Sequence, residues 1–356
     1  MTEKRRILFI HPDLGIGGAE RLVVDAACGL QRNGHQIGIW TSHHDPNHAF
    51  PETNSELNVR VVGDWLPRHF WKKGHALCAI LRSLYLAIVL IWHVHVEFNH
   101  YDLLIVDQVS ASIPLLRLTN TKILFYCHFP DQLLTQRTTL VKKIYRFPLD
   151  MFEQLTTKMA DKVVVNSKFT SGIFSKTFQW ISTEPEVLYP GIQLEAYDKS
   201  VDMNDEDVKG LVIDGDFVLS VNRFERKKNI QLAISAFSTL KQRMKSRFDK
   251  LALVIAGSGY DHRVVENVEY LTELDQLAQE LKLSTFIWKR GSKIPQKTQV
   301  IFIPSFSENQ RTFLFKEALC LVYTPSHEHF GIVPVEAMYA GLPVVAVNNG
   351  MIIAVT

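Results

Sequence analysis

Cysteine is scarce in this chain of 356 residues: Cys28, Cys78, Cys127 and Cys320 stand far apart, and none belongs to a C-x-x-C pair. That spacing excludes a disulfide framework and a cysteine-built zinc site, and reduced thiols in a cytosolic setting are expected. A dominant sign of charge is also lacking, because 39 Lys and Arg face 37 Asp and Glu for a net +2. Without a global basic field, no nucleic-acid partner is expected. A signal-peptide core is missing too, since the first apolar run, Ile7 to Ile10, ends at His11-Pro12-Asp13. The chain is expected to start and stay in the cytosol. What remains is an ordinary globular balance, 46% apolar and 21% charged, in a chain longer than one hydrophobic core usually serves. Two domains are therefore expected.

Ile7 to Ile10 has the unbroken apolar character of a parallel strand buried on both faces. Gly15-Ile16-Gly17-Gly18 follows, and then a helical pattern from Ala19 to Arg32 that Gly34 stops. Further strand-like runs are Gln36 to Trp40, Leu103 to Val106, Ile123 to Tyr126 and Lys162 to Val165. The alternation predicts an α/β domain with a mostly parallel sheet over residues 1–195. Residues 196–215 are rich in charge and poor in periodicity, and are expected to form a linker. A second alternation fills 216–356: strands at Phe217 to Val221, Leu251 to Ala256, Leu319 to Tyr323 and Val344 to Val347, with helices between several of them. Two doubly wound, Rossmann-like domains follow, with ligands expected in a cleft between them at the carboxyl ends of the strands.

One stretch departs from a soluble pattern. Ala76 to Phe98 is strongly apolar, interrupted by Arg82 and two histidines. A spanning helix needs about 20 such residues. A single crossing would put the strands at Ile7 and Leu103 on opposite sides of a membrane, although both belong in one sheet. An in-plane or re-entrant membrane helix is expected instead, with a plain core helix as the alternative.

Three segments carry chemistry. Gly17 and Gly18 lie between a strand and a helix, where a backbone can approach a phosphate and the helix start offers unpaired N–H groups. Asn222 to Asn229 follows the first strand of the second domain and converges four basic residues, Arg223, Arg226, Lys227 and Lys228, on a strand's carboxyl end. Arginine binds phosphate oxygens in pairs and lysine acts as a point charge, which suits a diphosphate leaving group. Ser326 to Met338 places Glu328 on a loop and, with seven residues between them, Glu336 on a first helical turn, with Gly331 and Pro334 in the interval. A loop carboxylate can accept hydrogen bonds from hydroxyls, and a carboxylate at a helix start complements the dipole and can pair with a ribose diol.

The Glu-x7-Glu string, the Arg223/Lys228 pair and the glycine turn resemble the large retaining glycosyltransferase family of the two-Rossmann (GT-B) type. Longer strings, His11 to Arg21, Gly63 to Pro67, Val106 to Ser110, Leu124 to Asp131 and His327 to Gly331, are similar to mannosyltransferases of dolichol-linked oligosaccharide synthesis. The resemblance runs from the first strand to about Asn348. It implies GDP-mannose as donor, no cofactor and no catalytic metal. The implied acceptor is a dolichol-diphosphate-linked Man1GlcNAc2 core, extended with retention by one α-1,3 and one α-1,6 mannose. The implied setting is the cytosolic face of the endoplasmic reticulum membrane, with the membrane surface and other enzymes of the pathway as partners. Within that resemblance His128 and Glu328 would contact the transferred sugar, Arg223, Lys228, Gly17 and Gly18 the diphosphate, and Glu336 the ribose. Asp205/Asp207 and Asp214/Asp216 have Asp-x-Asp spacing but are read as solvated acids.

Two departures from the family pattern stand out. Residues 288–299 look like an insertion and are expected to form a basic surface loop. After Val347 the glycine-rich turn and closing helices of the family are not recognisable, so a truncated second domain is expected, with a catalytically silent, membrane-associated binding form as the alternative reading.

Overall fold

The structure is a computed structural model. It describes residues 3–69, 74–134, 139–192, 198, 200–213, 215–257, 259–326, 328 and 330–348, with 245–247 described for backbone alone. Asp214, His327, His329 and the closing residues 349–356 lie outside the described set.

The chain divides into two compact units, residues 1–191 and 192–356. Unit 1 carries β1 (Arg6–His11), β2 (Gln36–Thr41), β3 (Asn58–Val61), β4 (Leu103–Asp107), β5 (Lys122–Cys127), β6 (Lys162–Val165) and β7 (Glu186–Val187). Its helices are α1 (Gly18–Arg32), α2 (Glu52–Ser55), α3 (His75–Val96), α4 (Ile113–Leu116), α5 (Asp131–Leu134), α6 (Leu140–Lys158) and α7 (Lys168–Thr177). The sheet order among the described residues is β3-β2-β1-β4-β5-β6-β7, parallel throughout. Strand β1 shows why an unbroken apolar run suits this sheet. Leu8 and Ile10 pack into the cluster with Leu86, Leu90 and Val94 of α3, while Ile7 and Phe9 pack on the other side with Val23, Val24 and Ala27 of α1. Side chains alternate along a strand, so both faces must be apolar when both are covered.

Unit 2 carries α8 (Glu206–Lys209), β8 (Asp216–Val221), α9 (Ile230–Met244), β9 (Leu251–Ala256), α10 (Val265–Glu280), β10 (Thr285–Ile287), β11 (Val300–Ile303), α11 (Glu308–Glu317), β12 (Cys320–Tyr323), α12 (Ile332–Tyr339) and β13 (Val344–Ala346). Its parallel sheet runs β10-β11-β9-β8-β12-β13. Strand order reverses at β1/β4 in unit 1 and at β8/β12 in unit 2. A doubly wound sheet opens its ligand crevice at such a switch point, outside the carboxyl ends of the strands.

Two expectations are corrected here. The described residues 200–213 are not a loose linker, because Asp205 caps α8 and the α11 side chains Asn309 and Gln310 hydrogen-bond to Asp205 and to the Asp207 carbonyl. Asp207 is paired with Arg290 at 3.0 Å, so neither acid of that Asp-x-Asp string is merely solvated. The 288–299 segment is anchored by Trp288, which is buried in the core of unit 2 and donates its indole N–H to the Gly210 carbonyl. Beyond it residues 289–299 are exposed or partly exposed, as expected of a basic surface loop, and Trp288 with Ile294 ties that loop to unit 2.

Helix α3 is half embedded in unit 1. Leu86, Ala87, Leu90 and Val94 face the sheet, whereas Leu77, Leu81, Ile88, Trp92 and Val96 are exposed. Arg82, the odd residue in the apolar run, is buried and donates to the Ser42 carbonyl at 2.6 Å. Replacing Trp288 by Ala removes an indole from the core and frees the Gly210 carbonyl. Urea unfolding of this variant is expected to show a loss of about 3 kcal/mol. An unchanged midpoint would show that the 288–299 segment is not anchored through this side chain.

Candidate functional site

In unit 2, β8 and β12 are neighbours through Val218 against Cys320 and Leu219 against Leu321. The loops that leave their carboxyl ends therefore emerge side by side. Lys228 Nζ meets Glu328 Oε2 at 2.6 Å, with both side chains largely buried. Thr324, just past β12, donates its hydroxyl to the Lys228 carbonyl at 2.8 Å, which fixes the backbone under the lysine. Tyr323 at the end of β12 hydrogen-bonds Glu328. Burial foremost, then the Glu328 charge and that hydrogen bond, push its hydroxyl well above the ordinary tyrosine range. Tyr323 is thus a neutral donor that holds the carboxylate. Gly331 opens α12 at φ 70, and a Cβ there would stand 3.1 Å from the Tyr323 hydroxyl. Both the left-handed backbone and the close approach require glycine.

The basic run after β8 does not converge as a group of four. Arg226 turns to the acidic side of α10, where it pairs with Glu269 and Glu273 and its backbone N–H meets Glu266. Lys227 pairs with Glu225 at 2.9 Å and is mostly exposed. These positions alternate around a short 3-10 turn, so adjacent residues point in different directions. Lys228 is left at the β8/β12 edge. Arg223 is half-exposed beside Glu225 at 3.1 Å, within the same loop.

Glu336 also differs from expectation. It stands beyond the first turn of α12, is buried, and forms an ion pair with Arg311 of α11. Its charge is answered by a guanidinium more than by the helix dipole. Arg311 is a residue of this site that the sequence reading missed.

In unit 1 the switch point brings together three residues that each end or follow a strand. Asp107 closes β4 and is fully buried, yet both its oxygens are engaged: Oδ2 with His11 Nδ1 and Oδ1 with His128 Nε2, each at 2.7 Å. His11 closes β1, and its Nε2 faces the Asp13 carbonyl and the Glu20 carboxylate. Burial works against a charged His11, but hydrogen bonds to Asp107 and Glu20 raise its pKa to about 9. Burial would likewise raise Asp107, but the two histidines hold it at about 2. His128 leaves β5, packs at a tilt against Tyr126 with ring centroids 4.8 Å apart, and has its carbonyl bound by the Asn166 amide. Gln108, immediately after Asp107, is a non-glycine residue at φ 60, a strained conformation that turns the chain directly at the buried acid.

Gly17 and Gly18 cap and begin α1. A Cβ on Gly18 would meet nothing, and one on Gly17 would meet only the movable Glu20 carboxylate. Neither glycine is demanded by space. Glu20 already places an acid in the first turn of this helix, where His11 holds it below the usual carboxylate range against the effect of burial. Among the described residues no cluster of three His, Cys, Asp or Glu is placed to hold a metal ion.

Comparison with known proteins adds a family to this geometry. Residues 16–196 match the model of Glycosyltransferase Family 4, and residues 203–355 that of Glycosyl transferases group 1. The protein named alpha-1,3/1,6-mannosyltransferase ALG2 of Rhizomucor pusillus is 55% identical over 98% of this chain and 78% of its own length. The proteins of the same name in Saccharomyces cerevisiae and Homo sapiens are 49% and 46% identical, each over 98% of this chain and over 70% and 80% of their own lengths. Among solved structures, sucrose-phosphate synthase of Thermosynechococcus elongatus superposes with a TM-score of 0.69 at 19% identity, covering 98% of this chain and 82% of that one. The Anabaena protein HepE in complex with UDP and glucose gives 0.66 at 18%, covering 99% and 83%. These structures share the two-Rossmann fold.

The His11–Asp107–His128 network predicts a particular pH dependence of stability. A histidine whose folded pKa is raised stabilises the fold fully below its unfolded pKa and loses that contribution as pH rises to the folded one. For His11 the window runs from 6.5 to about 9. Chemical unfolding of the native chain is expected to lose on the order of 3 kcal/mol across it. Asp107→Asn should flatten the profile, and an equally steep slope in that variant would refute the pairing.

Proposed function

The chain belongs to the alpha-1,3/1,6-mannosyltransferase family of glycosyltransferases, and we propose that it transfers mannose from GDP-mannose onto a dolichol-diphosphate-linked oligosaccharide, in assembly of the N-glycan precursor. The observation that supports this reading most is the Lys228–Glu328 pair at the β8/β12 edge. A cation and a carboxylate that satisfy each other can be exchanged for two parts of one donor. Lys228 then meets the diphosphate, and Glu328, still held by Tyr323, accepts hydrogen bonds from the sugar hydroxyls.

In the proposed reaction the bond from mannose C1 to the β-phosphate oxygen breaks, and a bond from C1 to an acceptor hydroxyl oxygen forms on the same face. The configuration is retained, and the hydroxyl proton passes to the leaving phosphate. Negative charge grows on the diphosphate as the bond breaks, so Lys228 is worth more in the transition state than in the bound donor. Arg223 adds a second cation from the same loop. Glu336, oriented by Arg311, takes the nucleotide ribose. His128 is assigned to the transferred sugar, with its ring oriented by the contact of Nε2 with Asp107. Gly17 and Gly18 would offer backbone N–H groups to the donor.

The proposed location is the cytosolic face of the endoplasmic reticulum membrane. Its support is α3, 22 residues long and apolar enough to cross a membrane, packed along unit 1 by one face with the other exposed. That arrangement suits a helix lying in the membrane plane near a lipid-linked acceptor.

Lys228→Ala and Glu328→Ala are each expected to lower mannose transfer from GDP-mannose to mannosyl-chitobiosyl-diphosphate lipid by about 10² to 10³-fold. Arg226→Ala, tied to α10, should stay within a few-fold of the parent. Near-parent turnover in both site variants would overturn the assignment.

A further inference from the structure

Helix α6 is built inside out. Arg146, Asp150, Thr156 and Thr157 are buried on its inner side. Arg146 pairs with Asp131 at 3.0 Å and Asp150 at 3.2 Å, Glu153 accepts the backbone N–H groups of Asp131 and Gln132, and Thr156 bonds Ser110. Its outer side is apolar instead: Leu140 is 71% exposed, Val141 76%, Ile144 67% and Phe147 65%, with Met151 and Leu155 also exposed. Positions 140, 144, 147, 151 and 155 recur at helical spacing, so they form one stripe. Lys142 and Lys143 are exposed at the same end.

This stripe is not isolated. Helix α4 packs between α3 and α6 on the sheet face that buries α3. His95 of α3 bonds the Leu118 carbonyl, and Arg117 beside it bonds the Met159 carbonyl at the end of α6. The exposed apolar residues of α3, Leu118 and those of α6 therefore belong to one side of unit 1. Exposed apolar helix faces on one side of the unit, with lysines at the start of α6, fit the boundary between acyl chains and anionic headgroups better than they fit water.

We infer that α6 is a second membrane-contacting helix, which lays the stripe from Leu140 to Leu155 into an anionic phospholipid surface beside α3. This rests on the membrane location proposed above and goes beyond it by naming a helix that does not read as membranous in sequence. It carries a consequence for the site: Arg146 and Glu153 hold the segment that begins at Asp131, three residues after His128. Lipid contact with the outer face of α6 thus stabilises the helix that positions the His128 loop.

The test uses the full chain with Cys320→Ser, which leaves the buried Cys28, Cys78 and Cys127 as the native thiols. An environment-sensitive fluorophore is attached at Ile144→Cys or, as control, at Val265→Cys in unit 2, which is 67% exposed. Vesicles of phosphatidylcholine are compared with and without phosphatidylserine. The label at 144 is expected to shift to the blue on vesicles and to be quenched by spin-labelled lipid, while that at 265 does neither. Lys142→Ala with Lys143→Ala should weaken binding to phosphatidylserine vesicles about fivefold per lysine and leave phosphatidylcholine binding unchanged. Vesicle binding with no change at 144 overturns the α6 assignment alone. No vesicle binding at all overturns the membrane location with it. A blue shift without vesicles that grows with protein concentration assigns the stripe to a second copy of the chain and overturns the lipid assignment.

Discussion

Lys228 and Glu328 stand 100 residues apart in sequence and 2.6 Å apart in space, and the sheet of unit 2 is arranged so that they can. Because β12 pairs directly with β8, the two loops share one edge; with any other neighbour the cation and carboxylate would face separate crevices. Largely buried opposite charges make this contact demanding. Removing either partner leaves the other without compensation in a poor solvent for charge, which costs far more than an exposed pair is worth. Thr324 beneath the lysine, Tyr323 beside the glutamate and Gly331 at the turn all restrict the same few ångströms.

Unit 1 solves a comparable problem with one acid and two histidines. Asp107 is buried because β4 is central, and a buried carboxylate must be hydrogen-bonded on both oxygens to be tolerated. His11 and His128 come from the adjacent strands on either side, so the same topology that buries the acid supplies its partners. The left-handed Gln108 is the local strain this arrangement carries. From His128 the chain continues into α5 and is bound there by α6, which links the outer surface of the unit to its polar centre.

Much of this was legible in sequence, for physical reasons. Parallel strands covered on both faces leave unbroken apolar runs, so β1, β4, β5, β6, β8 and β9 were readable within a residue or so. Helix α11, which carries Arg311, has its start written in the Ser307/Gln310 capping box. Arg226 shows a limit: its destination depends on acids of α10, and no local pattern states where a long side chain will turn. Helix α6 shows another. Its apolar period is plain in sequence, but period alone gives a face and not the direction that the face points. Only the polar partners Asp131 and Ser110, brought in by other elements, turn its charged side inward. Asp107 and His11 carry a subtler signal, a polar residue that closes a buried strand at its carboxyl end.

In the proposed reaction Lys228 meets the diphosphate of the donor at the β8/β12 edge. Titration calorimetry with GDP and with guanosine, on the native chain and on Lys228→Met, tests it most directly. GDP binding is expected to weaken at least about tenfold in the variant, the loss of one charge-assisted contact, while guanosine binding stays the same in both. Equal GDP affinity in the two proteins would contradict it.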